Sequence, residues 1–317
     1  MAPVVLGKHD LGQLKLTGPG GASAGTTQKE QTPLMTKRPF LGWFAAPSVL
    51  IAFGIAASFL AIVQYSLRAH VPGALDPGGF TLDNFTTLWK AIYGRAFLNT
   101  VLLCVWTALF TLLIGYPLAY AMVRAKSTSL RSAILLISLT PLFLGEIVRT
   151  YSWMIVLGNR GFVNAALKVM GLIDRPIEFM FTMTGVVIAL VHFTLPIVVV
   201  MLAAALSHID RNLERAATSL GAGRIRCFLT VTLPLSIPGV VAATSTAFAW
   251  TFSAFATPQM IGGGKVQTIS TLVYQVGFAS FNFPLAASLS LVGLLFTLAV
   301  LAVLNTGVRR LEKIGGH

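Results

Sequence analysis

Polar residues in this chain gather in short clusters, and between the clusters run long apolar stretches. Six of these, over residues 41–67, 96–123, 133–157, 179–206, 227–255 and 284–308, reach the roughly 20 residues that a helix needs to cross a hydrocarbon core. The pattern predicts an all-α integral membrane protein with six transmembrane helices. A flexible tail is expected over residues 1–39, where runs such as Thr26-Thr27-Gln28 offer no means of building a core, and a second, short tail over residues 311–317. Between the first two spans, Pro72-Gly73 and Asp76-Pro77-Gly78-Gly79 carry turn chemistry, and Asp83 is placed near the start of a short surface helix.

One interruption differs from the others. Residues 207–239 carry four arginines (Arg211, Arg215, Arg224 and Arg226) between two apolar runs. Asp210 is a suitable N-cap, Leu213, Ala216, Ala217 and Leu220 recur at helical spacing, and Gly221 stands where a glycine ends a helix. The segment 207–226 therefore predicts a short amphipathic helix of about three turns. A second helical run from Ala222 is expected to end near Leu233-Pro234, where proline removes a donor. Two readings fit these residues: a docking element for a soluble partner, or a solvated connection between spans.

Composition agrees with a membrane protein. The 317 residues are 55% hydrophobic and 10% charged, against roughly 25% charged in soluble domains. The net charge of +13 is scattered over loop ends rather than gathered on one face, which argues against nucleic acid. With a cytoplasmic N-terminus, 15 of the 23 Lys and Arg fall on the cytoplasmic side and eight lie outside or within spans. The positive-inside rule thus favours both termini in the cytoplasm. Cys104 and Cys227 fall near opposite ends of their spans, so no disulfide is expected, and no Cys or His cluster has metal-ligand spacing. Residues 1–40 lack a continuous apolar core, so no cleavable signal peptide is expected there.

Several side chains inside the spans are candidates for function. Pro47, Pro117, Pro141, Pro196, Pro238 and Pro258 permit kinks, which packing or motion can each explain. In the third span Glu146 and Arg149 stand three residues apart on one helical face, and neither tolerates lipid alone. They either line a polar translocation path, with Tyr151 and Trp153 offering ring faces to a cation, or form an internal ion pair that locks the helix. His192, four residues before Pro196, is either a satisfied core residue or a proton relay. Trp250, Phe252, Phe255 and Gln259 either line a cavity mouth or belong to an interfacial aromatic belt.

Catalytic chemistry is absent from the sequence. No nucleophile–base or paired-carboxylate arrangement stands outside the membrane. Gly262-Gly263-Gly264-Lys265 lacks the first glycine of a phosphate loop, where Gln259 stands, and Val266 replaces the magnesium-binding hydroxyl, so it reads as an external turn. No period of 20 to 50 residues marks an internal repeat. The chain is therefore a gradient-driven or passive path, or one part of a machine powered by another subunit.

The arginine-bearing segment favours the second. Arg215-Ala216-Ala217, three residues, Gly221, nine residues, Val231, one residue and Leu233-Pro234 resembles the EAA motif of ATP-binding-cassette (ABC) importer permeases. Three further segments resemble the spermidine/putrescine (polyamine) branch: Asn99-Thr100 with Gly115-Tyr116-Pro117-Leu118-Ala119-Tyr120; Val148-Arg149-Thr150-Tyr151-Ser152-Trp153 followed by Gly161-Phe162-Val163-Asn164; and Phe255-Ala256-Thr257-Pro258 through Gly262-Gly263. The resemblance covers about residues 40–310. Two positions depart from the motif: Val231 stands for Ile, and Arg215 stands where the family has Glu, with Glu214 offering a carboxylate from the neighbouring position.

The resemblance implies the six-helix, type I importer architecture in a bacterial inner membrane. It implies a second permease subunit, two cytoplasmic ATPases and an extracytoplasmic solute-binding protein as partners, with no cofactor or metal in this chain. It assigns ATPase coupling to Leu213, Glu214, Arg215, Ala216, Ala217, Leu220, Gly221, Leu233 and Pro234. Polyamine or a related cationic nitrogen compound is the implied solute, while related permeases handle opines, phosphonates and iron. A proton- or sodium-driven secondary transporter using Glu146 and His192 is the contrasting expectation.

Overall fold

The computed structural model describes residues 39–73 and 78–315, with side chains over 46–73 and 78–307. The tail expected over residues 1–39 lies almost wholly outside the described residues, as do residues 74–77 of the first loop. The chain divides into two compact units at Phe53. The described part of the first unit is the beginning of one helix, α1 (Pro39–Ser66), with Pro47 inside it.

All other elements belong to the second unit. A short α2 (Asp83–Thr87) precedes the long α3 (Ala91–Arg124), and α4 (Thr128–Leu139) runs into a 3₁₀ turn, Thr140–Phe143. Then come α5 (Glu146–Leu157), α6 (Phe162–Val169), α7 (Met183–Ser207), α8 (Arg211–Ser219) and α9 (Arg224–Cys227). A π-turn, Phe228–Thr232, joins α9 to α10 (Leu233–Ser253). The chain continues through α11 (Ala256–Gly262), α12 (Ile269–Tyr274), a second π-turn (Gln275–Ala279) and α13 (Phe283–Gly315). The helix α13 thus runs past the span end expected at residue 308, into the expected tail.

Five helices are long and apolar enough to cross a membrane. The third expected span differs: Thr128–Phe143 and Glu146–Val169 meet at 106°, so residues 133–157 are not one straight helix. The cause is local. Pro141 supplies no N–H to the ladder, and Leu144 and Gly145 take extended ψ values of 134° and 149°. The run across Leu233-Pro234 errs in the other direction, because Arg224–Ser253 forms a single helical span. There the Leu233 N–H donates to the Phe228 carbonyl, five residues back, and this wider turn carries the helix past the proline.

The core of the second unit is a three-helix contact of α3, α7 and α10, built on Leu103, Leu190, Val198, Leu202, Leu206, Ala243 and Ala247. Small residues bring the backbones close: a Cβ on Gly115 would press on Val198, and one on Gly239 would collide with Ala205. Polar pairs cross the same contacts. The hydroxyls of Thr111 and Thr194 stand 2.8 Å apart, as do those of Tyr116 and Ser236. Asn99 Nδ2 donates to the Gln267 carbonyl at 3.1 Å, and the Ile269 N–H donates to Thr100 Oγ1 at 3.0 Å, joining α3 to the start of α12. Cys104 and Cys227 are both free and buried.

Candidate functional site

Two places on this scaffold hold the candidate residues. The first is α8 and its surroundings. Asp210 Oδ1 accepts the Asn212 N–H at 2.9 Å, which caps the helix start. At its end Gly221 takes φ +86°, and the Gly221 and Ala222 N–H groups donate to Thr218 and Ala217 carbonyls, each at 3.0 Å. That pairing is a Schellman ending, and the left-handed position favours glycine there.

No residue of α8 is buried. Leu213 and Leu220 are 47% and 89% exposed, Ala216 is also exposed, and Ala217 is half-buried. Leu233 is half-buried and Pro234 exposed. Leu213, Ala216 and Leu220 are therefore left largely uncovered by this chain; with Ile225, 77% exposed, they form an open apolar face among the four arginines.

Successive residues on a helix point about 100° apart, and this separates Glu214 from Arg215. Arg215 faces outward, its guanidinium donating to Asn212 Oδ1 at 3.3 Å. Glu214 turns inward. Its Oε1 accepts from Arg124 Nη2 at 2.7 Å and from Thr232 Oγ1 at 2.8 Å, and its backbone carbonyl accepts from Cys227 Sγ at 3.6 Å. The carboxylate expected to substitute for the motif glutamate is thus committed within the chain, not presented outward from the position of Arg215. Arg211 adds a hydrogen bond to the Val123 carbonyl. Together these contacts fasten α8 to the end of α3 and to the π-turn below α10.

The second place surrounds the 106° bend. Arg149 is 7% exposed, and its Nη1 donates to the Pro141 carbonyl at 2.8 Å across the bend. Its guanidinium carbon lies 4.1 Å from the centroid of the Phe193 ring on α7, within cation–π range. The ion pair considered between Glu146 and Arg149 does not form; among the described residues the resolved ion pair is Arg124–Glu214. A longer reach explains this, since the fork of Arg149 turns back to a carbonyl eight residues earlier.

One turn further along α5, Trp153 Nε1 donates to His192 Nδ1 at 3.1 Å. His192 is therefore hydrogen-bonded through one ring nitrogen, which in the neutral ring leaves the proton on Nε2. The Trp250 ring lies 5.3 Å from the Phe193 ring that Arg149 covers, and the Trp153–His192 ring pair, 5.4 Å apart, is a second contact made from the preceding position of α7. Beside it an apolar groove of about 640 Å³ runs along Trp106, Phe110, Ile114 and Val191.

The remaining candidates stand elsewhere. Phe255 packs on Tyr274 at 4.8 Å, Tyr151 is 58% exposed, and Glu146 is half-buried at the start of α5. Gln259 keeps a buried Oε1 without a hydrogen-bond partner.

Arg124, Thr232, Phe193 and the Thr150–Thr257 pair, 3.1 Å apart, were not singled out in the sequence. A lone polar side chain in an apolar helix signals that a partner exists. It does not say which residue, ninety positions away, supplies it.

Residues 111–313 match the family described as the binding-protein-dependent transport system inner membrane component. The spermidine/putrescine transport system permease protein PotB of Escherichia coli (strain K12) is 30% identical over 213 residues, covering 67% of this chain and 77% of that protein. The molybdenum transport system permease protein ModB of the same organism is 35% identical over 172 residues, covering 52% of this chain and 72% of its own. Among solved structures, a chain of a bacterial alginate ABC transporter in complex with an alginate-bound periplasmic protein superposes with a TM-score of 0.72. It has 21% sequence identity and covers 87% of this chain and 96% of that one, a likeness of fold.

Proposed function

Because the chain belongs to the binding-protein-dependent transport system inner membrane components, a permease subunit of an ABC importer and not itself an enzyme, we propose that it forms half of a polyamine translocation path. ATP hydrolysis is the work of a separate subunit, and the chain resides in the inner membrane. The bent α4–α5 segment counts as one crossing in this reading, which makes six, with both termini cytoplasmic as the distribution of Lys and Arg favours. Two ATPases dock below, a second permease stands alongside, and an extracytoplasmic solute-binding protein delivers solute from above.

The exposed face of α8 is the ATPase contact: Leu213, Ala216 and Leu220 enter the partner's groove and Arg215 lies at its edge. The observation that carries this is the fastening of Glu214 to Arg124 and Thr232, because it ties the docking helix to two spans of the core. Closure of the ATPases on nucleotide displaces α8, and α3 and α10 move with it. The loaded binding protein and ATP each favour one of two arrangements, so transport is a shift in their populations.

Polyamine is supported by the relative at 30% identity and by Glu146, which alone among the ten acidic residues falls within an apolar span. Tyr151, Trp153, Trp250 and Phe255 supply ring faces for an ammonium group. A second reading, an anionic solute such as an opine or phosphonate, is favoured by the buried Arg149, whose Nε has no hydrogen-bond partner.

Uptake of labelled spermidine into proteoliposomes holding the permease pair, the ATPases and the binding protein tests the proposal. Uptake that requires ATP and withstands an uncoupler supports it. Uptake that needs no ATPase and collapses with an uncoupler would establish a secondary transporter instead.

A further inference from the structure

The outer surface of α3, away from both candidate regions, carries a groove whose chemistry the transport reading leaves unused. It encloses about 840 Å³ between the first turns of α3 and the early part of α13. Phe97 and Val101 line one wall, Val292 and Phe296 the other, and the Phe97 and Phe296 rings meet edge to face at 4.7 Å. Trp89, 92% exposed, and Tyr93 stand at the mouth. From Tyr93 to Val101 the stripe extends about 12 Å at 1.5 Å per residue, close to the half-thickness of about 15 Å of a hydrocarbon core.

Lys90 and Arg95 flank this mouth. Both are exposed, and neither side chain has an ion-pair or hydrogen-bond partner among the described residues. Lys90, the extended residue that precedes α3, adjoins the groove-lining Trp89 in sequence, and Arg95 stands three residues from the groove-lining Leu98, a neighbour on the helix surface. Two cations and two amphipathic rings over an apolar slot match one ligand from end to end: a phosphate at the level of the rings, and an acyl chain below.

We propose that this groove is a binding site for an anionic phospholipid, its headgroup held between Lys90 and Arg95 and one acyl chain lying along Phe97 and Val101. The site is built, unlike the outward face of the same helix further down. There Leu109 and Leu113 are 50% and 66% exposed without a facing wall.

The whole importer in nanodiscs of mixed phosphatidylglycerol and phosphatidylethanolamine tests this, with each lipid in turn carrying a photoactivatable diazirine in its chain. Phosphatidylglycerol label is expected to concentrate on Phe97, Leu98 and Phe296 over Leu109 and Leu113. Lys90→Gln combined with Arg95→Gln should lower that label about fivefold or more, leaving Leu109 unchanged. Gly94→Leu should displace the lipid without harming the fold, because a Cβ there meets nothing within 4 Å. Equal labelling of Phe97 and Leu109, equal labelling by both headgroups, indifference to the charge substitutions, or cross-linking of a cysteine at position 98 to a partner subunit would overturn the proposal.

Discussion

Arg124 Nη2 lies 2.7 Å from Glu214 Oε1, joining the last residue of α3 to a helix ninety positions later in the chain. Both side chains are largely shielded, 13% and 16% exposed, so removing one leaves the other poorly solvated. Arg124→Ala is expected to cost about 2 kcal/mol, between the values for exposed and fully buried pairs. Glu214→Ala should cost less when added to Arg124→Ala than on its own, the remainder being the lost Thr232 hydrogen bond, which a double-mutant cycle on the thermal unfolding of the solubilised complex would read. Co-purification with the ATPase should fall in each single variant, and the exchanged pair Arg124→Glu with Glu214→Arg should recover part of it. Strict additivity of the two single losses would separate the pair energetically and refute the clasp.

Arg149 fastens the bend to α7 through a carbonyl and a ring. Lysine cannot provide both contacts, having neither the fork nor the flat face of a guanidinium. Arg149→Lys and Phe193→Leu are each expected to lose about 1–2 kcal/mol of stability and to be non-additive together. In uptake assays both variants should insert normally and transport poorly. Wild-type uptake by Arg149→Lys would show that charge alone suffices.

The Trp153–His192 hydrogen bond gives a narrower test. Trp153→Phe keeps an aromatic ring but removes the donor with the pyrrole ring, so about 1 kcal/mol or more of stability should be lost. His192→Asn, which retains an acceptor near the Nδ1 position, should be milder than His192→Leu. A proton-relay role predicts no such ordering in transport, with His192→Asn as damaging as His192→Leu.

Gly239 and Ala205 mark a close approach of α7 and α10, with a Cβ on the glycine colliding with that of Ala205. Gly239→Ala should destabilise the complex by about 1–3 kcal/mol through overpacking. Ala205→Gly in the same chain should restore it, because the exchange moves one methyl across the contact. Failure of the second substitution to rescue the first would mean that the glycine serves its own helix and not the contact.

Hydropathy made the long helices legible, because crossing length and apolar character are properties of single segments. Geometry between segments was less so. The bend at Thr140 to Gly145 carries a proline and a glycine, yet the run reads as continuous because every residue in it except Glu146 and Arg149 suits lipid. Leu233-Pro234 misled in the opposite sense, since a π-turn absorbs a proline that an ordinary α-helix would not. Spacing placed Glu146 and Arg149 on one face and so raised an ion pair, whereas the guanidinium reaches Pro141 and Phe193 instead. For α8, the cap at Asp210 and the glycine at 221 follow directly from side-chain chemistry. The inward turn of Glu214 depends on Arg124 and Thr232, and no local pattern contains them.

The π-turn also sets an angular phase. Cys227 and Thr232 are five residues apart, and an uninterrupted α-helix would aim them about 140° away from each other. Both nevertheless contact Glu214, one at its backbone carbonyl and one at its carboxylate. The widened turn is what brings the two side chains round to the same neighbour. Winding the same five residues as ordinary α-helix would swing one of them out of reach, whereas deleting one residue between Phe228 and Thr232 would set the two four apart, about 40° from each other, and keep both on this face. The span Arg224–Ser253 and the helix α8 are thus keyed together by the wider turn, which fixes their relative rotation at the place where, in the proposed importer, torque from an ATPase would enter the span.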